Sequence, residues 1–170
     1  MKSKYLIAYF QLQGEESKSA KVAEAIEAHM TKKGHEAKMF AITPVEKYPA
    51  DDDAFMAATK AEAERRSRPE LTDKISGGQY KDYRDIILVA PNWWNSVPMA
   101  VMTFLDMHDN HNKRFVPVIL HGGDGADAVE QELRSSMPDA DVMPAVAIAN
   151  SELADLTPFV NRVMEELGEK

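Results

Sequence analysis

Two loops of this chain carry the residue types best suited to binding and chemistry. Both tryptophans lie in the first loop, which directly follows an apolar strand predicted at residues 85–90. The candidate ligand-binding residues of this loop are Pro91, Asn92, Trp93, Trp94 and Asn95. Paired indole rings offer a flat stacking surface, and in open α/β sheets ligands bind at the carboxyl ends of the strands. The alternative is that both rings pack under the edge of the sheet, and the spacing does not say which ring would stack on a ligand.

The second loop follows an apolar strand predicted at residues 115–120. Its candidate binding residues are His121, Gly122, Gly123, Asp124 and Gly125. Glycines at three of four consecutive positions let the backbone approach a ligand closely, although such runs also occur in ordinary loops before helices. His121 can hydrogen-bond a ligand or simply cap the strand that precedes it.

Other clusters of reactive side chains have simpler explanations. Residues 108–111 read His-Asp-Asn-His, which could ligate a metal, but they are expected in a solvated turn after a helix, so no metal site is predicted. Arg65, Arg66 and Arg68 could hold a phosphate, or they form the exposed end of a helix. No arrangement of serine, histidine and acidic residues supports nucleophilic catalysis, and no catalytic residue is predicted.

Composition restricts the class of protein. The length of 170 residues suits a single domain over 1–170, with 44% apolar and 28% charged residues. The net charge of −8 disfavours nucleic acid or an anionic membrane as a partner. The absence of cysteine excludes disulfides, thiol catalysis and cysteine metal sites. The chain has no apolar run of signal or transmembrane length, so we expect a cytoplasmic protein without membrane contact.

Apolar runs and helical periodicities alternate along the chain. Strands are predicted at residues 5–10, 36–42, 85–90, 115–120 and 142–149. Helices are predicted at residues 19–33, 51–67, 97–107, 126–136 and 153–167, and residues 68–82 are predicted to be a loop. This alternation predicts a three-layer α/β sandwich with a five-stranded parallel sheet of order 2-1-3-4-5. In that order the loops at residues 11–19, 91–96 and 121–127 meet at one edge.

Three segments of the chain resemble the motifs of a known family. Residues 91–105 are similar to the P-x-W-W-G-x-x-P…V-x-T-F-L segment of flavodoxin-like FMN proteins, residues 121–125 to the T-H-G-G-S-G loop, and residues 45–50 to the V-x-x-Y-P loop. The resemblance implies a flavodoxin-like fold and FMN bound at the three loops that meet at one edge. It also implies electron transfer with a redox partner protein, or a small NAD(P)H or quinone oxidoreductase. The flavin would do the chemistry, and the protein would bind and orient it.

The resemblance also implies roles for individual residues. Trp93 and Trp94 would cover the flavin ring, and four residues would approach its polar edge, namely Asn92, Asn95, Gly122 and Gly123. In the loop at residues 11–19, the residues aligned with the family's phosphate cradle include Gln11, Gln13, Gly14 and Ser17.

The loop at residues 11–19 departs from the family pattern. The family reads S-x-T-G-N-T, whereas this chain has glutamine at both hydroxyl positions, keeps Gly14, and continues with Glu15 and Glu16. Two acids near a phosphate would oppose it, so we expect FMN to bind more weakly here than in relatives with the hydroxyl-rich loop. The alternative function is therefore a binding or scaffold domain that keeps the fold and has lost FMN. Asn95 stands where the family has glycine, a position that suits a residue tolerant of positive φ.

Overall fold

Parallel strands form the centre of the fold. The computed structural model describes residues 4–15 and 17–169, so Glu16 lies outside the described residues. Strands occupy β1 Lys4–Phe10, β2 Glu36–Ile42, β3 Asp85–Pro91, β4 Arg114–His121, β5 Asp141–Val142 and β6 Val146–Ala149. Their order is β2-β1-β3-β4-β5, with β6 also paired to β4, and the pairs are parallel. The predicted order 2-1-3-4-5 is confirmed.

Helices cover both faces of the sheet. They are α1 Lys18–Lys32, α2 Asp52–Glu64, α3 Gly77–Lys81, α4 Met99–Asp106, α5 Asp127–Ser136 and α6 Thr157–Glu166. Alternate residues of β1 point into different layers: Leu6 packs in the core with α4 and α5, and Ile7 in the core with α1 and α6. A strand buried on both faces needs a nearly continuous apolar run, and β1, β3 and β4 have one.

The edge beside β4 differs from the prediction. One strand was expected at residues 142–149, but two short strands, β5 and β6, share this position. Pro144 lies between them and has no N–H to donate to the sheet. The next N–H, that of Ala145, donates instead to the Glu130 carboxylate of α5 at 2.6 Å. Within the described residues the sheet therefore has six strands in five positions.

The helix predictions differ mainly at the ends and in one missed element. The loop predicted at residues 68–82 contains α3, which the Ser76 hydroxyl caps by accepting the Gln79 N–H at 3.1 Å. Two glycines opening this helix hide it from propensity-based prediction, and the buried Tyr80 anchors it. The last helix, predicted at residues 153–167, is also shorter, since α6 begins at Thr157; a separate 3₁₀ turn at Asn150–Glu152 precedes it. None of the described helices is long and apolar enough to cross a membrane.

Candidate functional site

A cavity of about 310 Å³ opens at the carboxyl ends of β1, β3 and β4. This is within the size range of small-molecule sites, which is about 300–1,000 Å³. The lining comes from the end of β1 with the loop and helix start that follow it, from the ends of β3 and β4, and from the residue after β6. The lining residues are Phe10, Leu12, Glu15, Ser17, Lys18, Ser19, Pro91, Trp93, Leu120 and Asn150.

One end of the cavity is the N-terminus of α1. Ser17 has extended backbone angles (φ −111°, ψ 144°), and its hydroxyl accepts the Ala20 N–H at 2.8 Å and donates to the Phe10 carbonyl at 3.1 Å. Because the first amides of a helix have no intrahelical acceptor, those of Lys18 and Ser19 can bind an anion, which the helix dipole also favours. The Lys18 ammonium adds a positive charge at the same end. This end of the cavity suits a phosphate or another oxyanion.

The loop between β1 and α1 is held by its own glutamines. Gly14 has a φ of 72°, which glycine adopts without strain. The Gln11 amide donates to the Glu15 carbonyl at 3.4 Å, and the Gln13 amide donates to the Val45 carbonyl at 2.9 Å. Gln13 thereby ties the loop to the segment that follows β2. The aligned glutamines thus fasten the loop, and Glu15 lines the cavity.

The loop after β3 contains a tight turn. Trp93 and Ser96 exchange backbone hydrogen bonds of 2.8 and 3.1 Å, and the two residues between them, Trp94 and Asn95, have φ of 58° and 64°. Positive φ at both central positions is typical of a type I′ turn. The expectation that Asn95 needs positive φ is confirmed. Trp94 adopts the same conformation, which is strained for a bulky side chain and costs about 1–3 kcal/mol.

The turn sends the two indole rings in different directions. Trp93 lines the cavity and meets three rings edge-on: Phe10 at 5.0 Å, Phe55 at 5.4 Å and Tyr48 at 5.8 Å between centroids. Trp94 remains 40% exposed and lies against α2, where its N–H donates to the Thr59 hydroxyl at 3.0 Å. Trp93 therefore combines packing with access to the cavity, and Trp94 covers the neighbouring helix.

Asn92 joins the loops after β3 and β4. Its side-chain amide donates to the Gly125 carbonyl at 2.9 Å, and its side-chain oxygen accepts the Asn95 N–H at 3.0 Å. Its backbone N–H donates to the Leu120 carbonyl at 2.8 Å. One side chain thus sets the spacing of the two loops and supports the strained turn.

The loop after β4 is exposed and shaped by glycine. Gly123 and Gly125 have φ of 127° and 75°, which side chains rarely tolerate. The His121 ring accepts the Gly123 N–H at 3.0 Å, so it caps the loop from within. Gly122 and Asp124 are exposed beside it. The loop follows the carboxyl end of β4, so it lies at the same edge of the sheet as the cavity.

The chain matches a known family over most of its length. A family model of flavodoxins matches residues 4–163. The chain belongs to the flavodoxin family. No curated protein matches the chain.

Solved structures share the fold. A candidate flavoprotein from Bacteroides eggerthii superimposes with a TM-score of 0.77 at 21% identity, covering 99% of each chain. A flavoprotein from Lactobacillus acidophilus in complex with FMN gives a TM-score of 0.65 at 21% identity, covering 86% of this chain and 92% of that one. An NADH:FMN oxidoreductase in its apo form gives 0.63 at 16% identity, covering 99% and 91%. At these identities the similarity shows the fold.

Sequence reasoning missed several residues of the cavity. Asn150 follows β6 directly, and its side chain lies 3.9 Å from where a Cβ on Gly122 would sit. A polar residue directly after a predicted strand was the available signal. Phe10 and Leu120 are the last buried residues of their strands and carried no signal beyond apolarity.

The clusters set aside in the sequence lie elsewhere. His108 follows α4 and stacks on the Tyr80 ring at 3.9 Å between centroids, at the amino end of β4 and away from the cavity. Arg66 pairs with Glu132 at 2.7 Å, and Arg68 pairs with Asp106 at 2.6 Å. These ion pairs join the segment after α2 to α5 and α4.

Proposed function

We propose that this protein binds FMN in the cavity at the carboxyl ends of β1, β3 and β4 and acts as a small flavin-dependent redox protein. It would transfer electrons to a partner protein or between NAD(P)H and a small acceptor such as a quinone. The observation that carries the proposal is one cavity that joins the N-terminus of α1, at Lys18 and Ser19, to the accessible indole ring of Trp93. That combination matches a ligand with a phosphate at one end and a planar ring at the other.

The phosphate would lie at the start of α1. The Lys18 and Ser19 amides would bind its oxygens, the Ser17 cap would position those amides, and the Lys18 ammonium would offset part of the charge. The backbone of Gln11, Gln13 and Gly14 would line the approach. The FMN complex of the Lactobacillus acidophilus protein, which has the same fold, supports this choice of ligand.

The ring would lie between the loops after β3 and β4. Trp93 would contact one face and Pro91 would flank it, whereas Trp94 would lie farther from the ring, against α2. Its polar edge would face the loop groups at Asn92, Asn95, His121, Gly122, Gly123, Asp124 and Gly125. Bound FMN would supply the acceptance and release of electrons, and the chain would hold the ring and exclude water from one face. The apo NADH:FMN oxidoreductase of the same fold supports a nicotinamide donor.

A second candidate function is a binding domain that keeps the fold without FMN. It is favoured by Glu15, an acidic residue that is part of the cavity lining together with the first residues of α1. A carboxylate in that place competes with a phosphate for the same amides and repels its charge.

The test is a titration of the purified protein with FMN and with riboflavin, followed by tryptophan fluorescence and visible absorbance. The proposal expects saturable FMN binding that quenches the indole emission. Anaerobic addition of NADH or NADPH to the loaded protein should then bleach the flavin absorbance. Failure of both flavins to bind would favour the domain without FMN.

A further inference from the structure

Tyr48 lies between the candidate flavin cavity and a second cavity. Its ring meets the Trp93 ring edge-on at 5.8 Å between centroids, and Trp93 lines the first cavity. Its hydroxyl donates to the Glu62 Oε1 of α2 at 2.6 Å. Tyr48 therefore contacts an indole ring on one side and a carboxylate on the other.

The second cavity connects this carboxylate to solvent. It has a volume of about 500 Å³ between α2 and the segments that flank it, and Glu62 is part of its lining. Burial raises the pKa of Glu62, while the positive charge of Arg65 acts in the opposite direction. A proton received by Glu62 can thus leave through an open cavity.

Tyr48 does not ionise on its own. Burial, together with the hydrogen bond and charge of Glu62, raises the pKa of the Tyr48 hydroxyl well above its usual value. Tyr48 therefore keeps its proton until it is oxidised, and the oxidised phenol is acidic enough to pass that proton to Glu62. The hydrogen bond to Glu62 is within the reach needed for direct proton transfer.

We propose that Trp93, Tyr48 and Glu62 form a relay that carries an oxidising equivalent from the first cavity to the second. A one-electron oxidant of the free-radical class first takes an electron from Trp93 and is itself reduced. Tyr48 then returns an electron to the Trp93 radical cation and passes its hydroxyl proton to the Glu62 carboxylate. The products are the intact indole, a neutral tyrosyl radical and a neutral carboxylic acid. If the Trp93 radical cation first loses its N–H proton to water, the neutral indole radical takes the electron from Tyr48 and a proton from water, which restores the intact indole.

The rings around Trp93 single out Tyr48 for this step. Among the described aromatic rings, Phe10, Phe55 and Tyr48 meet Trp93, and of these only Tyr48 carries a hydroxyl that can release a proton. The relay would draw damaging oxidation away from the flavin cavity. This protective purpose depends on the proposed function, whereas the relay itself can be tested without flavin.

The experiment is pulse radiolysis of the flavin-free protein, in which azide radicals oxidise indole. A Trp94→Phe background leaves Trp93 as the remaining tryptophan, since the chain has two. Absorbance at the indole-radical and tyrosyl-radical bands is followed in time. We expect the first band to decay as the second grows, at a rate independent of protein concentration and slower in heavy water.

Variants separate the members of the relay. Tyr48→Phe keeps the aromatic ring and should abolish the growth of the tyrosyl band that accompanies decay of the indole-radical band. Glu62→Gln keeps a hydrogen-bond acceptor but not a base, and should slow the transfer about tenfold or more. Tyr80→Phe is the matched control, because Tyr80 is buried elsewhere and donates to Asn110 at 2.5 Å; it should leave the rate unchanged.

Two kinds of result would overturn the relay. One is decay of the indole-radical band in Tyr48→Phe or in Glu62→Gln at the same rate as in the Trp94→Phe background. The other is loss of the tyrosyl-radical band in Tyr80→Phe. Near-ultraviolet circular dichroism and urea midpoints of each variant show that it is folded. Because no flavin is present, failure of the relay leaves the FMN proposal untouched, and failure of FMN binding leaves the relay testable.

Discussion

Replacing Asn92 with leucine should loosen the two loops that flank the candidate flavin ring. The substitution keeps the approximate size and removes two hydrogen bonds, one to the Gly125 carbonyl at 2.9 Å and one from the Asn95 N–H at 3.0 Å. A typical hydrogen bond contributes about 0.5–1.5 kcal/mol net, so the loss of two predicts about 1–3 kcal/mol. The strained φ of Trp94 adds to the need for this support.

Urea unfolding followed by circular dichroism measures this loss from the shift in midpoint at constant slope. In parallel, FMN affinity should fall in Asn92→Leu, because binding must then reassemble loops that Asn92 holds in place. The matched control is Asn95→Gly, which keeps the N–H that Asn92 accepts and suits a φ of 64°. We expect this control to be as stable as the parent or slightly more so.

Asn92→Asp separates the two hydrogen bonds. The introduced carboxylate still accepts the Asn95 N–H but turns an acceptor toward the Gly125 carbonyl. Protonation below about pH 3.9 restores a donor, so its stability deficit relative to the parent should narrow in acid. An Asn92→Leu variant with the parent's urea midpoint would refute the reasoning, because the loops would then be held by other contacts.

Three further predictions test other parts of the molecule. Glu15→Gln should raise FMN affinity about fivefold and leave riboflavin affinity unchanged, as measured by fluorescence titration; equal gains for both ligands would exclude a phosphate effect. Trp93→Leu should lower FMN affinity about tenfold, and Trp94→Leu should lower it less; the reverse order in the same titration would assign the stacking to Trp94. Burial and the charge of Lys113 lower the pKa of His108, so the folded state disfavours its protonation. The free energy of unfolding should therefore fall as pH drops below about 6.5, and urea unfolding of His108→Phe should show a smaller fall; an equal fall would assign the effect to other groups.

Much of the fold could be predicted from local patterns. The runs in β3 and β4 are apolar on both faces, so they indicate buried parallel strands whatever the contacts around them. The helix α3 could not be predicted in this way, because its first two residues are glycines and its stability comes from burial of Tyr80. The split between β5 and β6 depends likewise on a bond from Ala145 to the Glu130 carboxylate of another element.

Some features of the candidate site could likewise be predicted from local patterns, and others could not. Local patterns were enough to place two tryptophans and a glycine-rich loop after neighbouring strands, because strand ends can be read from apolar runs. The family pattern also indicated that position 95 suits positive φ. No local pattern shows that Trp93 reaches the cavity while Trp94 covers α2, because the directions of adjacent side chains depend on the turn that contains them and on how it packs.

Long-range contacts decided the remaining chemistry. Tyr48 and Glu62 are fourteen positions apart, and no local sequence pattern predicts the hydrogen bond between them. The Gln13 side-chain amide donates to a carbonyl thirty-two positions away. Gln13 is aligned with the phosphate cradle of the family, but here its side chain connects two loops. Periodicity is a local property and determines elements and their order. Hydrogen bonds between loops depend on how those elements pack, so they are decided only when the whole chain has folded.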